Sequence, residues 1–298
     1  MHIIFTFVVH TSNTGKQMKE YDRPSIMGIL NINNESFYSN SRHVAIDDVE
    51  RTFVKMVADG ADIIDIGACS TRPGSTPVTL EQEWGYLQEP LGMIAGKLLC
   101  NNDLQERIKI SLDTFRSEIV RRAYDILGSF IVNDISAGED DPQMLQTVGE
   151  LHLPYIAMHK RGTPATMQQM TDYPQGVVDA VIEYFKEFEE RAAKYGIPDY
   201  IMDPGFGFAK TLEQNYELFK GMPKLCSAIG EYARVRRKLL VGISRKGMIW
   251  RPLGITPDEA LCGTAALNLQ ALLLGADIIR VHDVAEAVQC VKLYGMLK

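Results

Sequence analysis

A closed barrel of eight parallel strands, each followed by a helix, is the fold class the sequence predicts: an α/β, (β/α)8 TIM barrel. Three observations predict it. Short apolar runs alternate with longer amphipathic stretches from residue 25 to the end, the pattern of βα units around a parallel sheet. The runs are continuously apolar, as in Leu239-Leu240-Val241, which suits strands covered on both faces. No glycine-rich first turn follows the first run, where an open doubly wound sheet would carry one.

Taken in order, the strands are expected at 26–30, 63–66, 108–112, 130–132, 155–158, 200–202, 239–243 and 278–281. Helix starts are signalled between them. Thr79 with Gln82 and Thr211 with Gln214 read as capping boxes, and Thr256-Pro257-Asp258-Glu259 places proline at a first helical position. Gly60-Ala61-Asp62 and Gly275-Ala276-Asp277 each set a glycine after a helix and just ahead of a strand, a C-cap placement. Nothing in 25–298 resembles a linker, so these residues are expected to form one domain, with 1–24 an N-terminal strand or hairpin extension. Its apolar run Ile3-Ile4-Phe5-Thr6-Phe7-Val8-Val9 lacks a basic leader and a cleavage site and is too short to span a membrane.

Hydrophobic residues at 46% and charged residues at 23% are ordinary for a soluble globular protein. The net charge of -7 argues against general nucleic-acid affinity. Five cysteines, odd in number and without metal-type spacing, read as reduced thiols in a cytoplasmic protein. No membrane partner is expected.

In this fold one face collects all the strand ends. They supply Asn31; Gly67 with Ser70-Thr71-Arg72-Pro73-Gly74; Asp113-Thr114; Asn133-Asp134; His159; Asp203-Pro204-Gly205; Ser244-Arg245-Lys246; and Arg280 with His282-Asp283. Any one Asp or Asn there is explained equally well as a helix N-cap. The set as a whole points to a polar ligand in a dry mouth. Asp113, Asn133 and Asp203 offer acceptors and an amide to a flat heterocycle rich in ring nitrogens, with Lys246 donating to an exocyclic oxygen. Arg72, Arg280 and His282 gather donors suited to a pyrophosphate. Asn31 offers a neutral oxygen to Mg2+, which keeps several waters when it binds polyphosphates.

These residues carry a resemblance. Met27-Gly28-Ile29-Leu30-Asn31, Asp65-Ile66-Gly67 with Ser70-Thr71-Arg72-Pro73-Gly74, Ser111-Leu112-Asp113-Thr114, Asn133-Asp134-Ile135-Ser136, Met158-His159 with Gly162-Thr163-Pro164, Asp203-Pro204-Gly205-Phe206-Gly207-Phe208, Ser244-Arg245-Lys246 and Arg280-Val281-His282-Asp283 together resemble the dihydropteroate synthase family, from about residue 24 onward. The resemblance implies a transferase joining 6-hydroxymethyl-7,8-dihydropterin pyrophosphate to para-aminobenzoate, with pyrophosphate leaving first. It implies that Asp113, Asn133, Asp203 and Lys246 hold the pterin, with Met158 and Phe208 against it. It assigns Asn31, Thr71, Arg72, Arg280 and His282 to the pyrophosphate and its Mg2+. Phe37, Pro73, Lys246 and Gly247 would border the para-aminobenzoate pocket, where sulfonamides compete. The catalytic set would be Asp113, Arg72, Lys246 and Glu35, in a homodimer built through outer helices.

The chain departs from the family pattern in three places. Asn33-Asn34-Glu35-Ser36-Phe37 replaces a Thr-Pro-Asp-Ser-Phe run, Ala68-Cys69 replaces Gly-Glu, and Gly247 replaces a common serine. All three concern the aminobenzoate half. Two other readings stay open: a pterin-dependent methyltransferase on a similar barrel, and a non-catalytic pterin-binding paralogue. The cations of Arg72 and Lys246 favour the pyrophosphate chemistry. Four further signals are read as structural. Gly205-Phe206-Gly207-Phe208-Ala209-Lys210-Thr211 ends like a nucleotide loop but lacks the glycine before its lysine. His159 reads as a polar loop residue, and Arg234, Arg236, Arg237 and Lys238 as solvated surface. Cys69 is expected beside Arg72, a neighbour that can lower a thiol pKa, but is read as simply buried, as most such cysteines are.

Overall fold

A computed structural model describes residues 23–32, 42–69, 78–163, 166–229 and 236–298. All but the last two residues of the expected N-terminal extension lie outside these ranges. Eight strands, β1 (Ser25–Asn31), β2 (Ile63–Gly67), β3 (Lys109–Asp113), β4 (Ile131–Asp134), β5 (Tyr155–Met158), β6 (Tyr200–Asp203), β7 (Lys238–Val241) and β8 (Ile278–Val281), pair in parallel in sequence order. Strand β8 returns to β1 and closes the barrel. The helices are α1 (Arg42–Asp59), α2 (Leu80–Leu99), α3 (Asn102–Arg107), α4 (Ser117–Leu127), α5 (Met144–Glu150), α6 (Val177–Lys194), α7 (Leu212–Lys220), α8 (Met222–Ala228), α9 (Gly247–Leu253), α10 (Leu261–Leu273) and α11 (Val284–Leu297). The expected strands all form. Strand β7 stops two residues early because Lys246 N–H bonds back to the Ile243 carbonyl at 3.0 Å, turning the chain into α9.

Alternation along the strands sorts the side chains into two cores. The larger lies between sheet and helices. The smaller contains Met27, Ile63, Ile131, Ile156, Leu240 and Ile278, with Ile201 against them. One residue from most strands contributes to it, so it is the apolar plug inside the barrel. Residues two positions further along each strand point the same way. Asp65, Asn133, Met158, Asp203 and Arg280 therefore form the layer directly above that plug.

Thr79 and Thr211 cap α2 and α7 with both reciprocal bonds of a capping box. The third start signal behaves differently. Glu259 accepts from Thr256 N–H and Oγ at 2.9 Å, but only a turn forms there, and α10 begins at Leu261. Asp258 is drawn to Arg245 at 3.2 Å and does not join a helix.

Gly60 and Gly275 have φ of +102° and +105°, as C-terminal glycines require. The aspartates after them do the same job twice. Asp62 accepts from Ile26 N–H and Asp277 from Leu239 N–H, each at 2.8 Å, fixing the lower ends of β1 and β7. Arg23 and Arg236 in turn hold these aspartates at 3.0 and 2.7 Å.

The basic run before β7 is not simply solvated. Arg237 is only 5% exposed, pairs with Glu189 at 2.5 Å and the Pro198 carbonyl at 2.7 Å, and lies over the Tyr200 ring. A cation in that position is retained because its partners surround it. Arg234 lies outside the described residues. Among the described residues no helix is long and apolar enough to cross a membrane.

Candidate active site

Backbone register sets Asn31, Gly67, Asp113 and Asn133 side by side across the first four strands. Gly67 leaves room there, because a Cβ at that position would meet Asp113 Cβ at 3.1 Å and push that side chain aside. Asp113 accepts from Arg280 Nη2 at 2.9 Å. The same guanidinium reaches Asp65 Oδ2 from Nε at 2.7 Å, and Asn133 Nδ2 donates to that oxygen at 3.0 Å. Two carboxylates thus share one cation, and the carboxamide donates to one of them. Among the described residues, Asp65 Oδ1 and its register neighbour Ser111 Oγ have no hydrogen-bond partner. Burial pushes Asp113 up to about 7, Arg280 pulls it back, and the Asp65 charge adds to the rise. Burial opposes the Arg280 charge, but Asp65 and Asp113 outweigh it and raise its pKa.

Asp65 is the member the sequence reading left without a role. Its signal was present: a carboxylate inside the apolar run Ile63-Ile64-Asp65-Ile66, 0% exposed, has to serve an interior partner. Asp134 shows the opposite case. Next to Asn133 but of opposite parity, it turns away from the mouth and accepts from Ser136 N–H and Oγ, Gly138 N–H and Tyr155 Oη at 2.6–2.8 Å.

Across the mouth stand Asp203, Met158, Lys246 and Phe208. Asp203 ends β6, in register with Met158, and accepts from Gly205 N–H at 2.8 Å. Burial raises its pKa, and Lys246 opposes the rise. Lys246 donates to the Phe206 carbonyl at 2.5 Å, with Nζ 5.0 Å from the Phe208 ring centre. Its own pKa falls to about 8, chiefly through burial, with Asp203 pulling upward. Gly247 opens α9, where a Cβ would lie 3.0 Å from Arg251 Nε.

The eighth strand brings His282, whose Nδ1 lies 3.0 Å from Ser244 Oγ. Arg245, at φ +55°, turns away from the mouth to Asp283 at 2.7 Å and Asp258 at 3.2 Å, leaving Lys246 directed inward. Asn31 ends β1 on the exposed rim. Among the described residues no group of three or more His, Cys, Asp or Glu stands ready for a metal. An exposed carboxamide oxygen fits a cation whose remaining ligands are phosphate oxygens and water.

The segment after Asp113 is braced from behind. Glu83 of α2, 0% exposed, accepts from Thr114 Oγ1 at 2.7 Å and pairs with Arg116, which also donates to the Val78 carbonyl at 2.6 Å. Cys69 is half-buried and is not an activated thiol. Burial, followed by the Glu83 charge, pushes its thiol pKa up. Glu35, Phe37, Thr71, Arg72 and Pro73 lie outside the described residues, and with them two of the four expected aminobenzoate residues and two of the five expected pyrophosphate residues.

Comparison with known proteins agrees with this arrangement. Residues 27–282 match the family model described as pterin binding enzyme. The dihydropteroate synthase of Escherichia coli (strain K12) is 36% identical over 276 residues, which is 92% of each chain. That of Synechocystis sp. is 38% identical over 274 residues, 91% of this chain and 89% of the other. A Xanthomonas albilineans dihydropteroate synthase solved with 4-aminobenzoic acid superposes with a TM-score of 0.79 at 31% identity, covering 93% of both chains. Matched from its first strand to its last, with the polar layer above the plug supplied by the strand ends the resemblance named, the chain belongs to the pterin binding enzyme family, among the dihydropteroate synthases.

Proposed function

We propose that the barrel mouth condenses 6-hydroxymethyl-7,8-dihydropterin pyrophosphate with para-aminobenzoate, releasing pyrophosphate and giving 7,8-dihydropteroate in folate biosynthesis. The observation that carries this reading is the single polar layer of Asp113, Asn133, Asp203 and Lys246 over a dry apolar plug. Asp113 and Asp203 accept from the N–H edge of the bicyclic ring, Asn133 adds a carboxamide, and Lys246 donates to the exocyclic oxygen. Met158 and Phe208 pack against its faces. Arg280 lies between this half and the leaving group: it already holds Asp113 and Asp65. With His282, Thr71 and Arg72 it would meet the pyrophosphate. A Mg2+ held by the diphosphate and Asn31 would supply further charge neutralisation there.

The bond from the pterin methylene carbon to oxygen breaks with its electron pair on the pyrophosphate. Asp113 and Asp203 then present negative potential to the electron-poor ring left behind, lowering the barrier without a covalent intermediate. The para-aminobenzoate nitrogen attacks that carbon and gives up one N–H proton to the released pyrophosphate or to solvent, its ring bordered by Phe37, Pro73, Lys246 and Gly247. The family resemblance assigns Glu35 to the catalytic set. Two chains are proposed to pair through the outer helices, supported by the exposed Leu253, Leu273, Leu293, Met296 and Leu297 near α9, α10 and α11. A cytoplasmic location is supported by five cysteines that are all free.

Calorimetry with the pterin pyrophosphate, with and without Mg2+, followed by a coupling assay with para-aminobenzoate, tests the reading. Pterin binding followed by product is expected, and Asn31→Ala should weaken the Mg2+ requirement of binding. Tight pterin binding with no product overturns the synthase and leaves a binder.

A further inference from the structure

The motif set aside as a nucleotide loop, 205–211, has a lysine that does not face solvent or phosphate. Lys210 is 4% exposed. Its Nζ lies 2.9 Å from His159 Nδ1 and donates to the Gly205 carbonyl at 2.9 Å and the Phe208 carbonyl at 3.0 Å. Burial lowers the Lys210 pKa to about 7 against the pull of Asp203, and in the ammonium form its three donors are all engaged. His159, 2% exposed, is kept neutral by burial and by the Lys210 charge, and in the tautomer protonated on Nε2 its Nδ1 accepts from the ammonium. Tyr184 packs edge-on against its ring at 4.9 Å, and Tyr173 holds the Ala209 carbonyl at 3.0 Å.

The loop held in this way is conformationally demanding. Gly205, Gly207 and Ala209 all have positive φ. Its backbone presses on β5 so closely that a Cβ on Gly205 would lie 2.0 Å from the His159 carbonyl oxygen and 3.4 Å from Met158 Cγ. The loop carries Phe208 and the Phe206 carbonyl that anchors Lys246. We propose that Lys210 and His159 are positioning residues for the pterin half of the site, a buried strut between β5 and the β6–α7 loop that sets Phe208 and Lys246 against the heterocycle. Neither side chain touches substrate. The proposal rests on the synthase reading above and extends it to residues that reading does not use.

Steady-state kinetics of Lys210→Met, His159→Leu and His159→Gln test it, each variant checked for folding by circular dichroism. Losing the strut should raise KM for the dihydropterin pyrophosphate about tenfold in Lys210→Met and His159→Leu, the scale of one buried hydrogen bond, while KM for para-aminobenzoate, whose pocket shares Lys246 but not Phe208, should rise less, by no more than about threefold. In His159→Gln the carboxamide oxygen replaces the imidazole acceptor, and KM should return to within about threefold of wild type. Equal rises in both KM values overturn the proposal, as does no rise in either. A His159→Gln variant as impaired as His159→Leu overturns it in favour of packing alone. If Lys210→Met does not fold, the two His159 variants decide. A wild type that binds pterin without turnover defeats the synthase reading, and the same comparison is then made from pterin Kd. A wild type that binds no pterin overturns both.

Discussion

Replacing Asp113 by Asn changes the electrostatics of the mouth at one atom. In the native chain Asp113 and Asp65 lean on the single guanidinium of Arg280, and burial lifts the Asp113 pKa to about 7. A ring that donates N–H to this carboxylate binds its ionised form, so affinity follows the ionised fraction. With that pKa, roughly a tenth of molecules carry the carboxylate near pH 6 and roughly nine tenths near pH 8, so affinity should rise about tenfold between them and then level off. The Asp113→Asn variant should lose the rise, and at about pH 8 it should bind more weakly than wild type by ~1.5–3 kcal/mol, the value of a hydrogen bond to a charged group. The assay is calorimetric titration with 6-hydroxymethyl-dihydropterin lacking the diphosphate, so that ligand phosphate does not titrate. A flat wild type, or a variant with the wild-type slope, would refute the reasoning. Stability carries the same signature. Because the folded pKa lies above the unfolded value of 3.8, the folded chain keeps a proton that the unfolded chain has lost. Asp113 therefore loses stabilising effect as pH rises from about 4 to about 7. The thermal midpoint of Asp113→Asn, measured against wild type, should improve over that window.

The remaining predictions concern the supports. Gly205→Ala puts a Cβ 2.0 Å from the His159 carbonyl oxygen at a φ of +69°. Chemical denaturation should show a loss of ~3 kcal/mol or more, and a loss under ~1 kcal/mol would mean that the loop relaxes freely. Glu83→Ala leaves Arg116 and Thr114 without their buried acceptor. A destabilisation of ~3–5 kcal/mol is expected in thermal denaturation, and an unchanged midpoint would show the brace to be idle. Arg237→Met removes the buried cation below β7 and leaves Glu189 unpaired. It should cost about 1–3 kcal/mol of stability with both KM values unchanged, and a raised KM would contradict the separation of floor from mouth.

The strands and the polar ring were legible because continuous apolar runs and the residues that end them are local features. Thr79 and Thr211 were legible for the same reason, since a capping box is complete within four residues. What escaped depended on contacts across the chain. Arg237 reads as surface from its neighbours in sequence, yet Glu189 and Tyr200 enclose it. Lys210 looks like half of a phosphate loop until His159, 51 positions earlier, is seen beside it. Asp65 was quoted as part of a motif, but its partnership with Arg280 spans 215 positions, and only strand parity says that both face inward. Asn133 and Asp134 are chemically similar neighbours whose opposite directions follow from that same parity. The Thr256 signal failed for a different reason. Thr256 N–H and Oγ1 both donate to the Glu259 carboxylate, so the return bond to Thr256 Oγ1 is missing, Asp258 is diverted to Arg245, and the helix starts later.

The twin aspartates under the barrel have a consequence for how such a protein changes over time. Asp62 and Asp277 secure the strands from beneath, through bonds that involve no residue of the upper rim. Cohesion and chemistry are therefore assigned to opposite poles of the same cylinder. Replacements among the upper connections, such as glycine at 247, fall on the rim while the lower fastenings remain as they were. Selection can thus revise ligand preference repeatedly on one durable frame.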